Sequence, residues 1–509
     1  MISVSENYNP YSDARKTTLS VVFKLVDIDA KDHASAAATS EAEISKIEQT
    51  YNEVISMTNK IGTLEHNQVL LDGSWVFPDE DDNGQVGWWS EALSDASGEF
   101  TTPQVLEFNF TGDESSVGFT IFFDGKADEY PTDFTVETLD STDTLISSET
   151  VTGNTETTYI SEASSDGYRK LKLTFNKTSK PYRRVRVCGV IFGIIQTFDE
   201  TNTKELDILY ELSPTMESLP TNEMIITIDN TDRKYNLINP NGLYAYLQDG
   251  QSLDVKIGIN GEDMSMGKFY FTKSSAEDSS MTASITANDK IYTLDGSICR
   301  IGEDGTWTVA EAVAAVISDS GLDITTSIPT DIGSQTINKC IPQDTTHREA
   351  LRLIAQASMS VCYFDRTDTL VFVELVVDTV SDTFDNDNMI TVPTVSVIER
   401  INTVEIVSNN EYTDVETIYT DNNKTSSETD KVLSIDNPLV CSSDVATWML
   451  GLYAKRVRYE TNDRGNPALE LTDTITINDA YDENDDVVIT RQEYKFDGGL
   501  KATTKGRVV

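Results

Sequence analysis

The three histidines are the residues of this chain best suited to acid–base chemistry at neutral pH, and they lie far apart, at His33, His66 and His347. A catalytic histidine needs a nucleophile and an orienting carboxylate within hydrogen-bond reach. His347 lies in the first turn of a predicted helix beside Arg348, where we expect it to be exposed to solvent. The motifs of the nucleophile elbow, the zinc metalloproteases, the P-loop and the dinucleotide-binding fold do not occur in the sequence. The sequence therefore predicts no catalytic residue and no cofactor-binding residue.

Pairs of carboxylates carry glycoside hydrolysis in many enzymes, but the 85 Asp and Glu residues of this chain make such pairs uninformative. At this density any two carboxylates can be neighbours in the fold, and the sequence singles out no pair. A glycosidase or peptidase is therefore kept as a third hypothesis.

The stretch DEDDNG matches the opening of a calcium-binding loop, with Asp79, Asp81, Asn83 and Gly84 in step. The bidentate glutamate of such a loop should then fall at position 90, which is Ser90. We predict an acidic, solvated turn here and no metal ligand.

Trp88 and Trp89, in GWWS, suggest carbohydrate stacking, since aromatic faces are good platforms for sugar rings. Successive residues of a strand point to opposite faces, so one of the two rings must point into the core. We predict a core role and keep carbohydrate contact as an alternative.

The charge of the chain excludes one class of partner. Lys and Arg number 39 against 85 Asp and Glu, which gives a formal net charge of −46. Such a chain repels phosphate, so a basic nucleic-acid-binding surface of the usual kind is excluded. Hydrophobic residues nevertheless make up 38% of the chain, which indicates a folded acidic protein and not a disordered one.

The cysteines and the apolar runs indicate where in the cell the protein is made. The cysteines are odd in number and lack CxxC spacing, so we expect reduced, mostly buried thiols from intracellular synthesis at Cys188, Cys299, Cys340, Cys362 and Cys441. The N-terminus lacks the pattern of a signal peptide, and the most apolar run, VRVCGVIFGII, is too short to span a bilayer. We expect neither export by a signal peptide nor membrane insertion.

The elements that must position these residues are mostly strands. Residues 17–28 alternate like a strand, whereas 35–57 are rich in helix formers, with apolar residues at helical spacing at Ile44, Ile47, Tyr51 and Ile55. Short alternating runs separated by Gly, Pro, Asp and Ser extend from 61 to 195 and predict a β-sandwich.

The second half of the chain mixes strands with a few helices. Residues 205–295 predict strands, with a hairpin loop over 258–267. Two helices follow, each opened by a capping box, formed by Thr308 with Glu311 and by Thr346 with Glu349. A hairpin turning at 365–368, a further strand stretch, a helix over about 443–459 and terminal strands complete the pattern.

The sandwich stretch resembles the discoidin-like, galactose-binding-like jelly rolls. LLDGSW stands near its start, GWWS follows, and YRKLKLTFNKTSKPYRRVRVCGVIFG takes the place of that family's final pair of long strands. The resemblance covers about one quarter of the chain and implies that the matching tryptophan belongs to the core.

Residues 205–509 resemble the hub family of phage tails and related contractile injection machines. The match is carried by LPTNEMIITIDNTDRKYN, by DTTHREALRLIAQASMSVCYFDRTDTLVFVE, and by NPALELTDTITI with VVITRQEYKFDGGLKATTKGR. The last is the most specific, because tail proteins of this kind commonly finish with a Pro-Xaa-Leu-Glu-Leu strand, a Val-Ile strand and a Phe-Asp-Gly-Gly-Leu hairpin.

The two resemblances imply a mainly β protein with α+β parts, in which a β-sandwich (jelly roll) is inserted into a hub of two barrel-like domains plus a small α+β domain. The expected division gives the hub an N-terminal strand and helix (1–60), a first β-barrel domain (201–298), the small α+β domain (299–385) and a second β-barrel domain with one helix (386–509), and gives the sandwich 61–200.

The hub resemblance also implies a function. It implies a non-enzymatic structural protein of the virion, at the tail tip or baseplate, made in the bacterial host cytoplasm. Three copies would form a ring that continues the tail tube, and DNA would pass through the lumen without specific binding. The expected partners are the distal tail or tube protein, the tape measure and fibre or spike proteins, with no cofactor. A receptor- or glycan-binding tail protein, working through the 61–200 sandwich, is the second hypothesis.

The C-terminal stretch EYKFDGGLKATTKGRVV predicts a hairpin. Asp497, Gly498 and Gly499 can supply the positive φ that tight hairpin loops need, while Phe496 and Leu500 flank the turn as an apolar pair. A lone hairpin is marginal in water, so we expect it to join the strands NPALELTDTITI and DDVVITRQ and to close the last hub domain.

Overall fold

The computed structural model describes residues 1–509 apart from 7, 53, 67, 71, 80–82, 162, 237, 240, 241, 278, 426 and 479–483. The chain divides into two compact units. Unit 1 comprises Met1–Val21, Phe198–Arg233 and Leu253–Val509, and unit 2 comprises Val22–Thr197 and Lys234–Ser252. The two segments of unit 2 therefore interrupt the sequence of unit 1 at two places.

The described part of the first 200 residues is dominated by strands, with the short helix α1 (Ala30–His33) and a 3₁₀ turn at Ile47–Tyr51. The strands are β1 (Thr17–Val26), β2 (Ala34–Ala38), β3 (Trp88–Trp89), β4 (Glu99–Ser116), β5 (Phe119–Phe123), β6 (Pro131–Leu139), β7 (Leu145–Val151), β8 (Thr158–Ser161), β9 (Ser165–Thr178), β10 (Arg186–Ile191) and β11 (Gly193–Asp199).

The remaining described residues add longer helices to a strand framework. The strands are β12 (Thr203–Glu211), β13 (Glu223–Asp229), β14 (Ser252–Ile259), β15 (Glu262–Ala276), β16 (Thr282–Asn288), β17 (Thr306–Thr308), β18 (Thr325–Ser327), β19 (Thr336–Asn338), β20 (Val361–Phe364), β21 (Thr369–Val373), β22 (Val380–Phe384), β23 (Thr394–Val397), β24 (Thr403–Asn410), β25 (Val415–Asn422), β26 (Val432–Asp436), β27 (Val457–Asp463), β28 (Thr474–Asn478), β29 (Asn484–Phe496) and β30 (Leu500–Arg507). The helices are α2 (Val309–Ser320), α3 (Thr330–Gly333), α4 (His347–Ala357) and α5 (Asp444–Ala454), with 3₁₀ turns at Tyr244–Tyr246 and Lys290–Asp295.

Unit 2 is a β-sandwich built from two sheets. One sheet has the strand order β2-β4-β9-β6-β7 and the other β3-β10-β5-β8. Strand β9 shows why these segments pair, because Tyr168, Leu171, Leu173 and Phe175 alternate with exposed or half-exposed residues and are fully buried. They meet Trp88 and the phenylalanines of the facing strands in one aromatic-rich core. Burial of each such side chain stabilises the fold by about 1.5–3 kcal/mol.

The long sheet of unit 1 joins the parts that the sequence divided into two barrels. Its strand order runs β14-β15-β16-β13-β12-β29-β30-β27-β23. Strand β12 pairs with β29, so the β-rich segments before and after the helices share one continuous sheet. The C-terminal hairpin β29–β30 is interior to that sheet, because β30 also pairs with β27. The mainly β fold class with α+β parts is confirmed.

The helices of unit 1 follow their local sequence signals closely. The Thr308 hydroxyl accepts from the Glu311 N–H and the Glu311 carboxylate accepts from the Thr308 N–H, while Gly321 ends α2 at φ 69°. In α4 the Thr346 hydroxyl accepts from the Glu349 N–H at 3.2 Å, but the Glu349 carboxylate pairs with Arg352 instead of completing the box. The second predicted capping box is therefore only half formed.

Three predicted elements differ from the structure. The helix expected over 35–57 is reduced to the 3₁₀ turn Ile47–Tyr51, because Ala34–Ala38 instead pairs with β4 in the sandwich. Residues 22–60, assigned from the sequence to the hub, accordingly belong to unit 2. The hairpin loop expected over 258–267 is only Asn260–Gly261, both at positive φ, since an Asn-Gly pair between alternating strands makes a tight turn.

Candidate functional site

Trp88 and Trp89 are both buried, which removes both rings as a surface platform for sugars. The Trp88 ring stacks on Phe175 in the sandwich core, with ring centroids 5.9 Å apart. Trp89 points to the opposite face of its sheet, as strand geometry requires. There it packs in a second cluster with Ala42, Met57 and Ile61, because the segment containing these residues covers that face.

A buried ionic cluster lies over the Trp89 ring. The guanidinium carbon of Arg186 is 4.0 Å from the ring centroid, and the Arg186 side chain is fully buried. Arg186 pairs with Glu65 and, at 2.7 Å, with Asp124. Two buried carboxylates thus pair with one buried cation that has an aromatic face beneath it. The cluster ties the loop carrying Glu65 to strand β10, and this is a structural role.

Of the residues proposed for a calcium loop, Asp81 lies outside the described residues. The Asn83 side chain donates to the Asp79 carbonyl and accepts from the Asp79 N–H, both at 2.7 Å. Ser90, at the position of the expected glutamate, is buried and donates its hydroxyl to the Ala92 carbonyl at 2.9 Å. The Asn83 amide therefore bonds to the Asp79 backbone on both sides.

His347 is buried, and the exposure expected from its place in the helix is wrong. Its Nε2 lies 2.9 Å from an Asp319 carboxylate oxygen, and its Nδ1 lies 2.8 Å from the Ser297 hydroxyl. The first turn of α4 packs against the residues before α2 and against the end of α2, which the helical pattern alone does not reveal. His33 is bound instead to Glu114, at 2.7 Å, and this hydrogen bond raises the pKa of His33.

Cys299 lies beside this histidine and completes a cluster of metal-ligating types. One ligand atom from each of Cys299, Asp319 and His347 lies within 4.8 Å of the other two. Thiolate, carboxylate and imidazole together suit a zinc-type ion. Burial raises the pKa of the Cys299 thiol to about 11, so the thiol is protonated at neutral pH, and both His347 nitrogens already have partners. The contact between His347 and Asp319 links α4 to α2, and no sequence spacing connects these residues.

Exposed apolar residues lie along an edge strand of unit 1. All four residues of β23 (Thr394–Val397) are exposed, with Val395 at 51% and Val397 at 59%. The strand pairs with β27 on one side and ends the strand order of its sheet. Val392, just before it, is 66% exposed. We call residues 392–397 the β23 edge. An exposed strand edge with apolar side chains is a template for pairing with another chain.

Comparison with known proteins finds no match to a family model, and no curated protein matches the chain. Among the described residues no helix is long and apolar enough to cross a membrane.

Solved structures similar to the chain include two tail proteins and a carbohydrate-binding module. A tail protein from Neisseria meningitidis MC58 has 10% identity and a TM-score of 0.45, covering 62% of this chain and 94% of its own. The 43 kDa tail protein of prophage MuSo2 from Shewanella oneidensis has 18% identity and a TM-score of 0.43, covering 61% of this chain and 94% of its own. The family 32 carbohydrate-binding module of NanJ from C. perfringens, solved with galactose, has 13% identity and a TM-score of 0.22, covering 34% of this chain and 99% of its own.

Both resemblances predicted from the sequence, to phage tail proteins and to a galactose-binding-like sandwich, are thus found among solved structures.

Proposed function

We propose that the chain is a non-enzymatic structural hub protein of a phage or phage-like tail tip or baseplate, and that it acts as a homotrimeric ring. The observation that carries the proposal is the β23 edge, because Val395 and Val397 are about half exposed on a strand that ends its sheet. Such an edge invites pairing with another chain unless a neighbour covers it. The hub resemblance of residues 205–509 supplies the number of copies.

The charge of the chain fits a tube through which DNA slides. A net charge of −46 repels phosphate, so DNA can pass without being held. Carboxylates facing a lumen would act over a Debye length, about 8 Å in physiological salt. The other partners in this proposal are the distal tail or tube protein, the tape measure and fibre or spike proteins. The protein would be made in the host cytoplasm and would end up in the virion.

The sandwich of unit 2 is proposed as an outward docking or carbohydrate-contact domain. Since Trp88 and Trp89 are buried, a glycan would have to bind through other residues. A glycan array probed with the full chain tests this part separately. Binding of a defined sugar class would support carbohydrate contact, and an array without hits would leave docking to other tail proteins.

Native mass spectrometry of the purified full chain tests the assembly. The proposal predicts a species at three times the 56.4 kDa of one chain. A species that stays at 56.4 kDa at micromolar concentration and above would contradict it.

A further inference from the structure

Two arginines of unit 1 face each other across a strand pair. In the antiparallel register of β27 and β30, Arg458 lies directly opposite Arg507. Like charges directly opposite each other destabilise a pair of strands. Neighbouring cations of the same sheet have acidic partners, since Arg491 pairs with Glu493 at 3.1 Å and Lys505 with Glu460 at 2.8 Å. In the described part of the chain, neither Arg458 nor Arg507 has a carboxylate within ion-pair distance.

The hydrogen bonds of this pair leave both charges uncompensated. Arg507 donates to the Leu452 carbonyl at 2.5 Å, and Arg458 donates to the Lys455 and Val457 carbonyls at 2.8 and 2.9 Å. Arg507 is only 4% exposed, and its buried Nε lacks a hydrogen-bond partner among the described residues. A buried cation without an anion is strongly unfavourable.

The burial of Arg507 and Arg458 also lowers their pKa values. Burial lowers the pKa of Arg507 to about 10, with the nearby charge of Arg458 acting in the same direction. Burial likewise lowers the pKa of Arg458. Both groups still carry a full charge at neutral pH, so their mutual repulsion persists under physiological conditions.

The two arginines line a groove of about 480 Å³. Ile398, Leu212 and Tyr453 line the same groove. Two carboxylates, Glu211 and Glu217, line the groove as well, but neither forms an ion pair with Arg458 or Arg507 in the described structure, and Glu217 accepts a hydrogen bond from the Tyr453 hydroxyl. Ile398 directly follows the β23 edge and lines the groove, so a chain that pairs along that edge lies next to a lining residue of the groove.

We propose that Arg458 and Arg507 form a receptor for a carboxylate side chain of a second copy of this chain, inserted when copies pair along the β23 edge. The inference rests on the proposed ring assembly and names a contact within it. Paired guanidinium groups match a carboxylate well, with charge-assisted bonds to both oxygens. A second copy offers many such groups, since the chain carries 85 Asp and Glu. A polyanion such as DNA fits less well, because the net charge of −46 repels it.

The proposal predicts that loss of Arg458 stabilises the free chain but weakens the assembly. In the free chain, removal of Arg458 relieves the repulsion of the cross-strand pair. In the assembly, the same change removes half of the carboxylate receptor. A purely structural arginine would show the reverse, with a loss of stability in the free chain and no direct effect on association.

The experiment compares Arg458→Gln with the wild type by sedimentation velocity over a concentration series. We expect the dissociation constant for self-association to rise at least tenfold. The unfolding midpoint of the chain, diluted until it is unassembled, should stay unchanged or rise. Arg458→Lys keeps the charge but loses the planar guanidinium that binds both carboxylate oxygens. Its dissociation constant should therefore lie between those of the wild type and Arg458→Gln. Arg169→Gln, at an exposed ion pair of unit 2, is the matched control and should change neither quantity.

The outcomes separate the two proposals. A wild type that never self-associates overturns the ring and the receptor together. A wild type that assembles while Arg458→Gln assembles equally tightly overturns the receptor alone. Inorganic phosphate serves as a probe for a free-anion site. If it raises the unfolding midpoint of the wild type but not of Arg458→Gln, and the variant still assembles normally, the groove binds a small anion and the second-copy proposal is wrong.

Discussion

At the scale of single residues, the buried guanidinium of Arg186 holds several parts of unit 2 together. It lies over the Trp89 ring and between the carboxylates of Glu65 and Asp124. Burial of the Arg186 cation is tolerable only because these two carboxylates lie beside it. The position of the loop that carries Glu65 therefore depends strongly on the Arg186 side chain.

Replacement of Arg186 by Ala should leave Asp124 buried without a counterion and Glu65 with only the longer contact to Arg184, at 3.9 Å. Removal of one partner from a buried ion pair destabilises by about 3–5 kcal/mol, and we expect a loss of that size for the sandwich. Urea unfolding followed by tryptophan fluorescence measures it. Arg169→Ala, whose partner Asp113 is largely exposed, is the control and should have little effect. Equal losses in the two variants would show that the buried cluster is not a source of stability.

Asp463 should give unit 1 a defined pH dependence. Burial raises the pKa of this carboxyl from its usual 3.8 to about 7. The folded state therefore holds a proton that the unfolded chain has lost, and stability falls as the pH rises between about 4 and about 7. Asp463→Asn should remove this fall while keeping an acceptor for the Gly465 N–H.

The measurement for Asp463 is the unfolding free energy of the variant and of the wild type at several pH values. Between about pH 4 and about pH 7 the unfolding free energy of the variant should rise relative to that of the wild type. Above about pH 7 the difference between the two should stay constant. Asp497→Asn is the contrast, because the hydrogen bond from Lys501 lowers the pKa of Asp497 and its stabilising contribution is lost as the pH falls. Parallel curves for wild type and Asp463→Asn throughout would contradict the prediction.

At the scale of elements, the C-terminal hairpin joins two parts of the hub. Strand β29 pairs with β12, and β30 pairs with β27, so the hairpin lies between segments far apart in sequence. The sequence interpretation expected this hairpin to close the last hub domain, and its place inside the shared sheet gives it a larger role. Deletion of residues 496–509 should therefore disrupt unit 1 and leave the sandwich folded.

The hairpin turn offers a test with a matched pair of glycines. Gly498 has φ 95°, whereas Gly499 has no positive φ, and neither has an atom near the place of a Cβ. Gly498→Val should destabilise unit 1 by about 1–2 kcal/mol, because a β-branched residue is strained at positive φ. Gly499→Val should cost much less. Thermal unfolding compares the two, and equal losses would show that backbone strain is not the cause.

Local signals predicted elements well, and tertiary contacts decided the rest. The capping residues Thr308 and Glu311 placed the start of α2 correctly, because a cap depends only on neighbours in sequence. The burial of His347 depends on Ser297 and Asp319, which no local pattern connects to it. The second tryptophan is buried because residues around 42–61 cover its face of the sheet, and that cover was predicted as a helix of the hub. The alternation that identified the strands could not show that β12 pairs with β29.

At the scale of the whole molecule, an apolar strand edge lies on a strongly acidic chain. The exposed valines of the β23 edge favour association, while the net charge of −46 opposes it unless charges are matched at the contact. The uncompensated pair of Arg458 and Arg507 next to that edge supplies such a match in the proposed assembly. Self-association should accordingly weaken both when the exposed valines of the β23 edge are replaced and when Arg458 or Arg507 loses its charge.

Replacement of Val395 and Val397 by Lys should weaken assembly without unfolding the chain. Both side chains are exposed, and surface substitutions usually change stability by no more than about 0.5 kcal/mol. Lysine on an edge strand opposes pairing with another chain. Size-exclusion chromatography with light scattering should show a shift toward the monomer. Leu145→Lys, on an exposed residue of the sandwich, is the control and should leave assembly unchanged.

The most direct test of the central claim is the symmetry of the assembled protein. Cryo-electron microscopy class averages of the purified full chain show it without any assumption about partners. The account predicts a ring of three copies around an open lumen, with strands β23 of neighbouring copies at the contacts. Particles of a single copy, or rings of another symmetry with the β23 edges exposed, would contradict it.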